Sequence, residues 1–399
     1  MTLKIAIITP EYPPYISGGI GSYNYELVRK LVEKGLEVIV ITLSNQKDEL
    51  RIFSSRCKCY YLKTPPLRPR YFYFQLHNRE RIRKLLEREK IDIIQLNSES
   101  GILVKSFREL LKKVKLVLVF HGSPSPFNRL WDSLKHLDIL DIAWVTSSAA
   151  YSVIEKFLGD DVLDYADVAV HVSKHSMYYN LLCNEKLRSL KNVVIYPGID
   201  ITHYTKHLNS LRNSSVTKGL RNFIFGARLM HYKGVIELLK AFSFASRENP
   251  FMILRMFGEG PLKHYVLKAT NSSQPRRIVY YGKVSREVFL KKVAMSDILV
   301  HPSFYECAPM VIIEATLLGK PVVAHKAPWS EEFIESFNIG VTVDVSDIDK
   351  FSNTLLTVAS EEWYKKMLSN LQRSREVLSS TFSSETMVNR YINLYYSIL

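Results

Sequence analysis

Five side chains carry most of the chemistry that this 399-residue sequence offers: Glu306, Glu314, Arg228, Lys233 and His121. The two glutamates lie in DILVHPSFYECAPMVIIEATLLGKPVVAHK, Asp297–Lys326. Around Glu314 the positions three and four residues away are Met310, Val311, Leu317 and Leu318, so its carboxylate projects from an apolar helix stripe. Burying an ionised carboxylate without partners is strongly unfavourable. It therefore needs a cation from elsewhere in the fold or a ligand that supplies donors, and taken alone the internal ion pair is the simpler reading. Arg228 and Lys233 flank Leu229–Tyr232 just before Gly234. Two cations at a helix start suit a diphosphate, although solvated surface charges would look the same. His121 follows the apolar run Lys115–Phe120, at the strand end where open α/β sheets bind ligands. A structural histidine is the competing reading.

These groups need a frame to bring them together. Asp297–Lys326 reads as strand, loop, helix, strand: Ile298–Val300, Pro302–Ala308, then Pro309–Leu318 ended by Gly319 and Pro321. Pro309 suits the first helical position, where its missing N–H costs nothing. At the other end of the chain, Lys4–Thr9 is a continuous apolar strand. Gly18-Gly19-Ile20-Gly21 reads as a loop, Ser22–Lys34 as a helix and Leu36–Leu43 as the next strand. That is the opening of a Rossmann-like unit, but G-x-G-x-x-G fails at Asn24, which disfavours dinucleotide binding. The glycines still permit close approach of backbone to an anion or a sugar.

The alternation continues with a helix near Gln75–Lys90, strand Ile91–Leu96, helix Ile102–Lys113, and strands Lys115–Phe120, Asp167–Ser173 and Asn192–Tyr196. Pro197-Gly198 reads as a linker. A second series starts at Asn222–Ala227 and runs through Val235–Ser246, Met252–Phe257, Ile278–Tyr281 and Arg286–Met295 into the stretch around Glu306. Ser360–Leu399 reads as two helices, the last near Glu385–Ile398. The expected fold class is α/β, with two Rossmann-like α/β/α domains facing across a cleft and a C-terminal helix returning to the first domain. The boundaries expected are 1–197 plus about 383–399 for the first domain and 198–382 for the second. Asp347-Ile348-Asp349 resembles an acidic metal motif but sits at a helix start, where capping is the better reading.

Composition is that of an ordinary globular protein, with 47% hydrophobic and 23% charged residues. The apolar run near the N-terminus is too short for a signal peptide, and no stretch reaches membrane-spanning length. Cys57, Cys59, Cys183 and Cys307 fit neither a disulfide framework nor a zinc site, so a reducing cytoplasm is expected. The net charge of +15 is concentrated between Arg51 and Lys115, where 17 Lys or Arg face 6 Asp or Glu. Tyr60, Tyr61, Tyr71, Phe72, Tyr73 and Phe74 are interleaved there. A solvated basic face is the plain reading, an anionic membrane surface reached through 51–115 is a functional one, and nucleic acid is not expected because no nucleic-acid fold signature accompanies the charge.

Several of these pieces, taken together, resemble one family over nearly the whole chain. They are Gly18–Gly21, Phe120-His121-Gly122, YPGID at Tyr196–Asp200, GARLMHYKG at Gly226–Gly234, FGEGP at Phe257–Pro261, and Glu306–Ala315 followed by GKPVVA. The sequence is similar to glycosyltransferase family 4 with a GT-B fold, although GARL carries one extra small residue and YPGID has Pro-Gly where Asn-Gly is more usual. The resemblance implies a retaining transfer from a nucleotide sugar, UDP- or GDP-linked, to a lipid-linked, polysaccharide or other glycan acceptor, with no cofactor and no metal in the chemical step. The first domain would bind the acceptor and the second the nucleotide sugar. By the same resemblance Arg228 and Lys233 hold the donor diphosphate and stabilise the leaving group, Glu314 takes the ribose hydroxyls and Glu306 lies near the donor sugar. Backbone around Ala308, Pro309, Met310 and Val311 assists, as do Gly258 and the loop glycines Gly18, Gly19 and Gly21, with Gly19 near the phosphates. His121 would stand beside the donor sugar. A nucleotide-sugar epimerase or phosphorylase of the same fold is the nearest alternative, and a basic nucleic-acid-binding module a remote one. The expected location is cytoplasmic, with attachment to the inner face of a membrane.

Overall fold

The computed structural model describes residues 2–14, 18–98, 100–122, 157–200, 221–272 and 277–399, with isolated positions between 142 and 154. Its contacts separate into two units. The first runs to Ile199 and resumes at Phe382–Leu399, while Asp200–Thr381 belongs to the second.

The first unit contains β1 (Lys4–Thr9), α1 (Gly19–Glu33), β2 (Glu37–Ser44), β3 (Glu49–Ser54), β4 (Cys57–Lys63), α2 (Arg70–Glu89), β5 (Ile93–Leu96), α3 (Gly101–Phe107), β6 (Lys115–Phe120), β7 (Val168–His171), α4 (Lys174–Cys183) and β8 (Lys191–Val194). The strands form one sheet in the order β3-β4-β2-β1-β5-β6-β7-β8, parallel except for β3. Strand β1 is an unbroken apolar run because both faces of a parallel sheet are covered by helices, and Ile5, Ile7 and Ile8 are fully buried. Strand order reverses beside β1, and in such sheets the crevice at the reversal is where ligands bind.

Three features depart from expectation here. Helix α1 starts at Gly19 with Gly18 as its N-cap, so Gly19 and Gly21 lie in the first helical turn and not in a loop. The β3–β4 hairpin was not expected: Glu49 and Arg51 break up β3, and β4 offers only the four-residue apolar run Cys59–Leu62 between Lys58 and Lys63. Helix α2 likewise begins five residues ahead of the expected Gln75. As a result Tyr60, Tyr61, Phe72 and Phe74 are core residues. The exposed apolar side chains of this region are instead Leu50, Ile52, Phe53, Leu67 and Leu76.

The second unit holds β9 (Arg221–Gly226), α5 (Val235–Glu248), β10 (Met252–Phe257), α6 (Lys263–Ser272), β11 (Ile278–Tyr280), α7 (Arg286–Ala294), β12 (Ile298–His301), α8 (Met310–Leu317), β13 (Val322–His325), α9 (Pro328–Phe333), β14 (Gly340–Val343), α10 (Ile348–Ala359) and α11 (Glu361–Thr381). Its six strands are all parallel, in the order β11-β10-β9-β12-β13-β14. Phe223, Phe225, Phe242, Val300 and Phe351 are among the buried side chains of its core. Pro309 is the N-cap of α8 and not its first helical residue. Asp347 caps α10, its carboxylate accepting from the Lys350 N–H at 3.0 Å, so the acidic doublet is a helix start as expected.

Helix α12 (Ser384–Ile398) returns to the first unit and packs on α1. The hydroxyls of Tyr23 and Tyr391 meet at 2.5 Å between them. Pro197-Gly198 is not a free linker: Ile199 is bridged to Ser383, and its N–H donates to the Phe382 carbonyl at 2.9 Å.

Candidate active site

In the second unit the site is built where β9 and β12 end side by side. The chain leaves β9 through Ala227 and Arg228, makes a single tight turn at His231–Lys233 and enters α5 at Gly234. Gly234 has φ +66, and a Cβ there would stand 2.2 Å from the carbonyl oxygen of Pro302 in the loop after β12. Only glycine allows both the left-handed conformation and that approach. The two loops are tied further by hydrogen bonds to the Tyr232 carbonyl, from Phe304 N–H at 2.9 Å and from the Ser303 hydroxyl at 3.3 Å.

This junction places Lys233 Nζ 2.5 Å from Glu306 Oε1, and the same oxygen lies 2.7 Å from His301 Nε2. All three side chains are largely buried, Lys233 and Glu306 to 14% and 13% exposure and His301 to 3%. Burial opposes ionisation of Glu306, but Lys233 and His301 beside it more than offset that and hold its carboxyl well below the usual range. Lys233 also lies 5.0 Å from the centre of the Tyr232 ring, and Arg228 Nη2 donates to the Tyr232 hydroxyl at 3.1 Å. Arg228 itself is exposed. The two cations therefore differ: one is locked into an ion pair, the other is presented on the surface of the loop.

The sign of the Glu306 shift sets its effect on stability. A carboxyl whose folded value is depressed contributes above the unfolded carboxyl range, and the contribution is lost as pH falls toward the folded value. Replacing it as Glu306→Gln should cost about 2 kcal/mol near neutral pH, the scale of a hydrogen bond to a charged group. Urea unfolding of both proteins from pH 7 downward should show the difference shrinking below about pH 4. A pH-independent gap would show that the ion pair does not stabilise the fold.

Glu314, on α8 and almost fully buried, has the internal partner that its apolar surroundings call for. Arg286 at the start of α7 donates from Nε to Oε1 at 2.8 Å, and its Nη2 lies 2.7 Å from the same oxygen. At the N-terminus of α8, the N–H groups of Met310 and Val311 belong to a first turn, which has no intrahelical acceptors for them. Gly258 is accounted for by packing: its φ is +131, a Cβ would fall 1.8 Å from the Ala227 carbonyl oxygen, and its N–H already donates to Gly282 at 2.9 Å.

In the first unit, the strand ends flanking the order reversal carry the remaining candidates. Gly18 caps α1, Gly19 and Gly21 follow, and the Gly21 N–H donates to Glu11 Oε2 at 3.4 Å. A carboxylate of this chain thus lies at the start of α1. His121 is half-buried just past the end of β6, with its Nε2 3.0 Å from Asn97 Oδ1 and its ring edge-on to Tyr23 at 4.7 Å. Burial pushes its pKa down to about 3, so the ring is neutral at physiological pH.

Of the residues expected from sequence, the structure brings Lys233 and Glu306 into contact and sets Arg228 beside them through Tyr232. It pairs Glu314 with Arg286. His301, Arg286 and Asn97 are additions. His301 had a readable signal, since it ends the apolar run ILV five residues before Glu306, whereas Arg286 and Asn97 meet their partners only through the fold.

Two tandem doubly wound α/β units with ionisable groups gathered at the strand ends are those of a GT-B glycosyltransferase, an enzyme of the transferase class. Residues 17–203 match the model of Glycosyltransferase Family 4 and residues 209–375 that of Glycosyl transferases group 1. The chain belongs to glycosyltransferase family 4. Among its relatives are the N-acetyl-alpha-D-glucosaminyl L-malate synthase of Bacillus anthracis and the O-antigen chain mannosyltransferase C of Escherichia coli. Each is 22% identical over the whole of this chain and 98% and 99% of its own length, respectively. The crystal structure of Anabaena Alr3699/HepE in complex with UDP and glucose matches with a TM-score of 0.73 at 17% identity, over 99% of this chain and all of that one. Family membership displaces the nucleic-acid-binding reading of the basic charge.

Proposed function

We propose that this enzyme moves a hexose from a UDP- or GDP-linked donor to a glycan or lipid-linked acceptor, with retention at the anomeric carbon and without metal in the chemical step. The observation that carries the reading is the Lys233–Glu306–His301 cluster beside the start of α8. Breaking a sugar–phosphate bond builds negative charge on the departing diphosphate, and preorganised cations and N–H dipoles lower that barrier most. Lys233, Arg228 and the N–H groups of Ala308, Met310 and Val311 supply them. Glu306 accepts from hydroxyls of the donor sugar, Glu314 from the ribose, and His121 lies beside the sugar, with the Gly19 turn near the phosphates. The UDP and glucose named for the cyanobacterial neighbour and the O-antigen chain named for the E. coli relative support the donor class and the acceptor class.

A thermal-shift panel of nucleotide sugars tests the donor. One UDP- or GDP-sugar should raise the melting temperature, and its transfer product should keep the donor's anomeric configuration in the presence of a chelator. Free epimerised sugar, or turnover that requires inorganic phosphate, would establish the epimerase or phosphorylase alternative instead. No described helix is long and apolar enough to cross a membrane. The exposed Leu50, Ile52 and Phe53 beside Arg56 on the β3–β4 hairpin support peripheral attachment to an anionic surface. Vesicle co-sedimentation indifferent to anionic lipid would refute that part.

A further inference from the structure

The polar side chain that orients His121 is held in turn by a chain of buried groups reaching α12. Tyr395, fully buried on α12, lies 2.5 Å from Gln95 on β5. Gln95 contacts Asn97 Oδ1 at 3.4 Å, and that oxygen is 3.0 Å from His121 Nε2. Gln95 and Asn97 are both buried. Proton direction can be followed along this line. A contact of 2.5 Å fits O–H···O and is shorter than N–H···O contacts run, so Tyr395 donates to the carbonyl oxygen of Gln95. The Gln95 amide nitrogen must then face Asn97. It can be accepted only by Oδ1, because a turned Asn97 amide would set two donors against each other. With Oδ1 fixed there, His121 meets an acceptor and carries its proton on Nε2. The amide nitrogen of Asn97 is buried and has no partner among the described residues. An isolated asparagine would turn over to relieve that, and Gln95 prevents it.

We propose that Tyr395, Gln95 and Asn97 are positioning residues that lock His121 as its Nε2–H tautomer and leave the Nδ1 lone pair as the ring's only acceptor. This rests on the reading of His121 as a group beside the donor sugar. There, a lone pair at Nδ1 accepts from a sugar or acceptor hydroxyl, whereas the other tautomer would offer that hydroxyl a donor. The C-terminal helix is then part of the reaction's machinery as well as of the fold.

Long-range proton–nitrogen NMR spectra of the histidine rings read the tautomer directly, with His121→Gln identifying the signals. The intact enzyme should show His121 as Nε2–H. Tyr395→Phe keeps the ring and removes the donor, so Gln95 and Asn97 can turn over. His121 should become a mixture, and kcat should fall about tenfold with donor KM little changed, as expected for losing one neutral hydrogen bond that orders a reacting group. Asn97→Leu removes the acceptor itself and should do the same. Tyr60→Phe, a buried phenol of β4 that donates to Glu89 and lies outside the line, should leave the tautomer alone. An Nδ1–H ring in the intact enzyme would overturn the proposal, as would a folded Tyr395→Phe or Asn97→Leu enzyme with an unchanged tautomer and kcat. If His121→Gln leaves turnover intact while the tautomer still follows Tyr395, the placing of His121 at the sugar is what fails.

Discussion

Lys233→Ala should lower turnover about 100- to 1,000-fold, the loss seen when one preorganised donor to a developing negative charge is removed. The geometry gives this lysine two conceivable duties, and they separate experimentally. Its Nζ is 2.5 Å from Glu306 Oε1, so without it a largely buried carboxylate loses its cation. Breaking a buried pair from one side is strongly destabilising. If neutralising Glu306 were its whole task, adding Lys233→Ala to Glu306→Gln would cost no further stability and no further turnover. If Lys233 also meets the departing diphosphate, the double variant should match Glu306→Gln in stability and fall well below it in turnover, and the cycle reports the difference. Arg228, exposed at the loop surface where its Nη2 donates to the Tyr232 hydroxyl, should show a smaller loss of turnover on Arg228→Ala. A double variant that turns over as fast as Glu306→Gln alone would remove Lys233 from the diphosphate.

Glu314→Ala should raise donor KM about 10- to 100-fold, equivalent to the 1.5–3 kcal/mol of a charge-assisted hydrogen bond. The ion pair with Arg286 makes the controls decisive. Removing either partner leaves the other charge in a largely buried place, so Glu314→Ala and Arg286→Ala should both lower the melting temperature. Only the glutamate variant should weaken the donor if its carboxylate also accepts from ribose hydroxyls. Equal effects of the two variants on donor KM would return Glu314 to a purely internal role, and no effect of either would remove the ribose contact altogether.

What could be read beforehand follows physical lines. Strands β6 and β10 have the bounds expected of them, and in β6 the run is apolar because a central parallel strand is buried on both faces. Strand β3 was illegible for the opposite reason: it is the sheet edge, largely exposed, and charges break its pattern. That misreading propagated, since it left buried tyrosines and phenylalanines looking like a surface feature. At the site, the need of Glu314 for a partner was legible from its apolar neighbours. The identity of the partner was not, because Arg286 arrives from another helix. Gly258 shows a further limit, since a close backbone crossing with Ala227 and a contact to a ligand both demand glycine and leave the same trace in a sequence.

The return of α12 to the first unit has a consequence for how the chain comes to be folded during synthesis. Residues 200–381 must be translated between β8 and α12, which at roughly 5–20 residues per second takes on the order of 10–35 s. Throughout that interval the α1 face that carries Tyr23 lacks its cover, and Gln95 lacks the phenol that sets its direction. The first unit is thus begun before the second and completed after it. Nascent chains arrested before residue 384 should hold a sticky, unfinished sheet, and the ribosome would release a competent His121 environment only with the emergence of Tyr395.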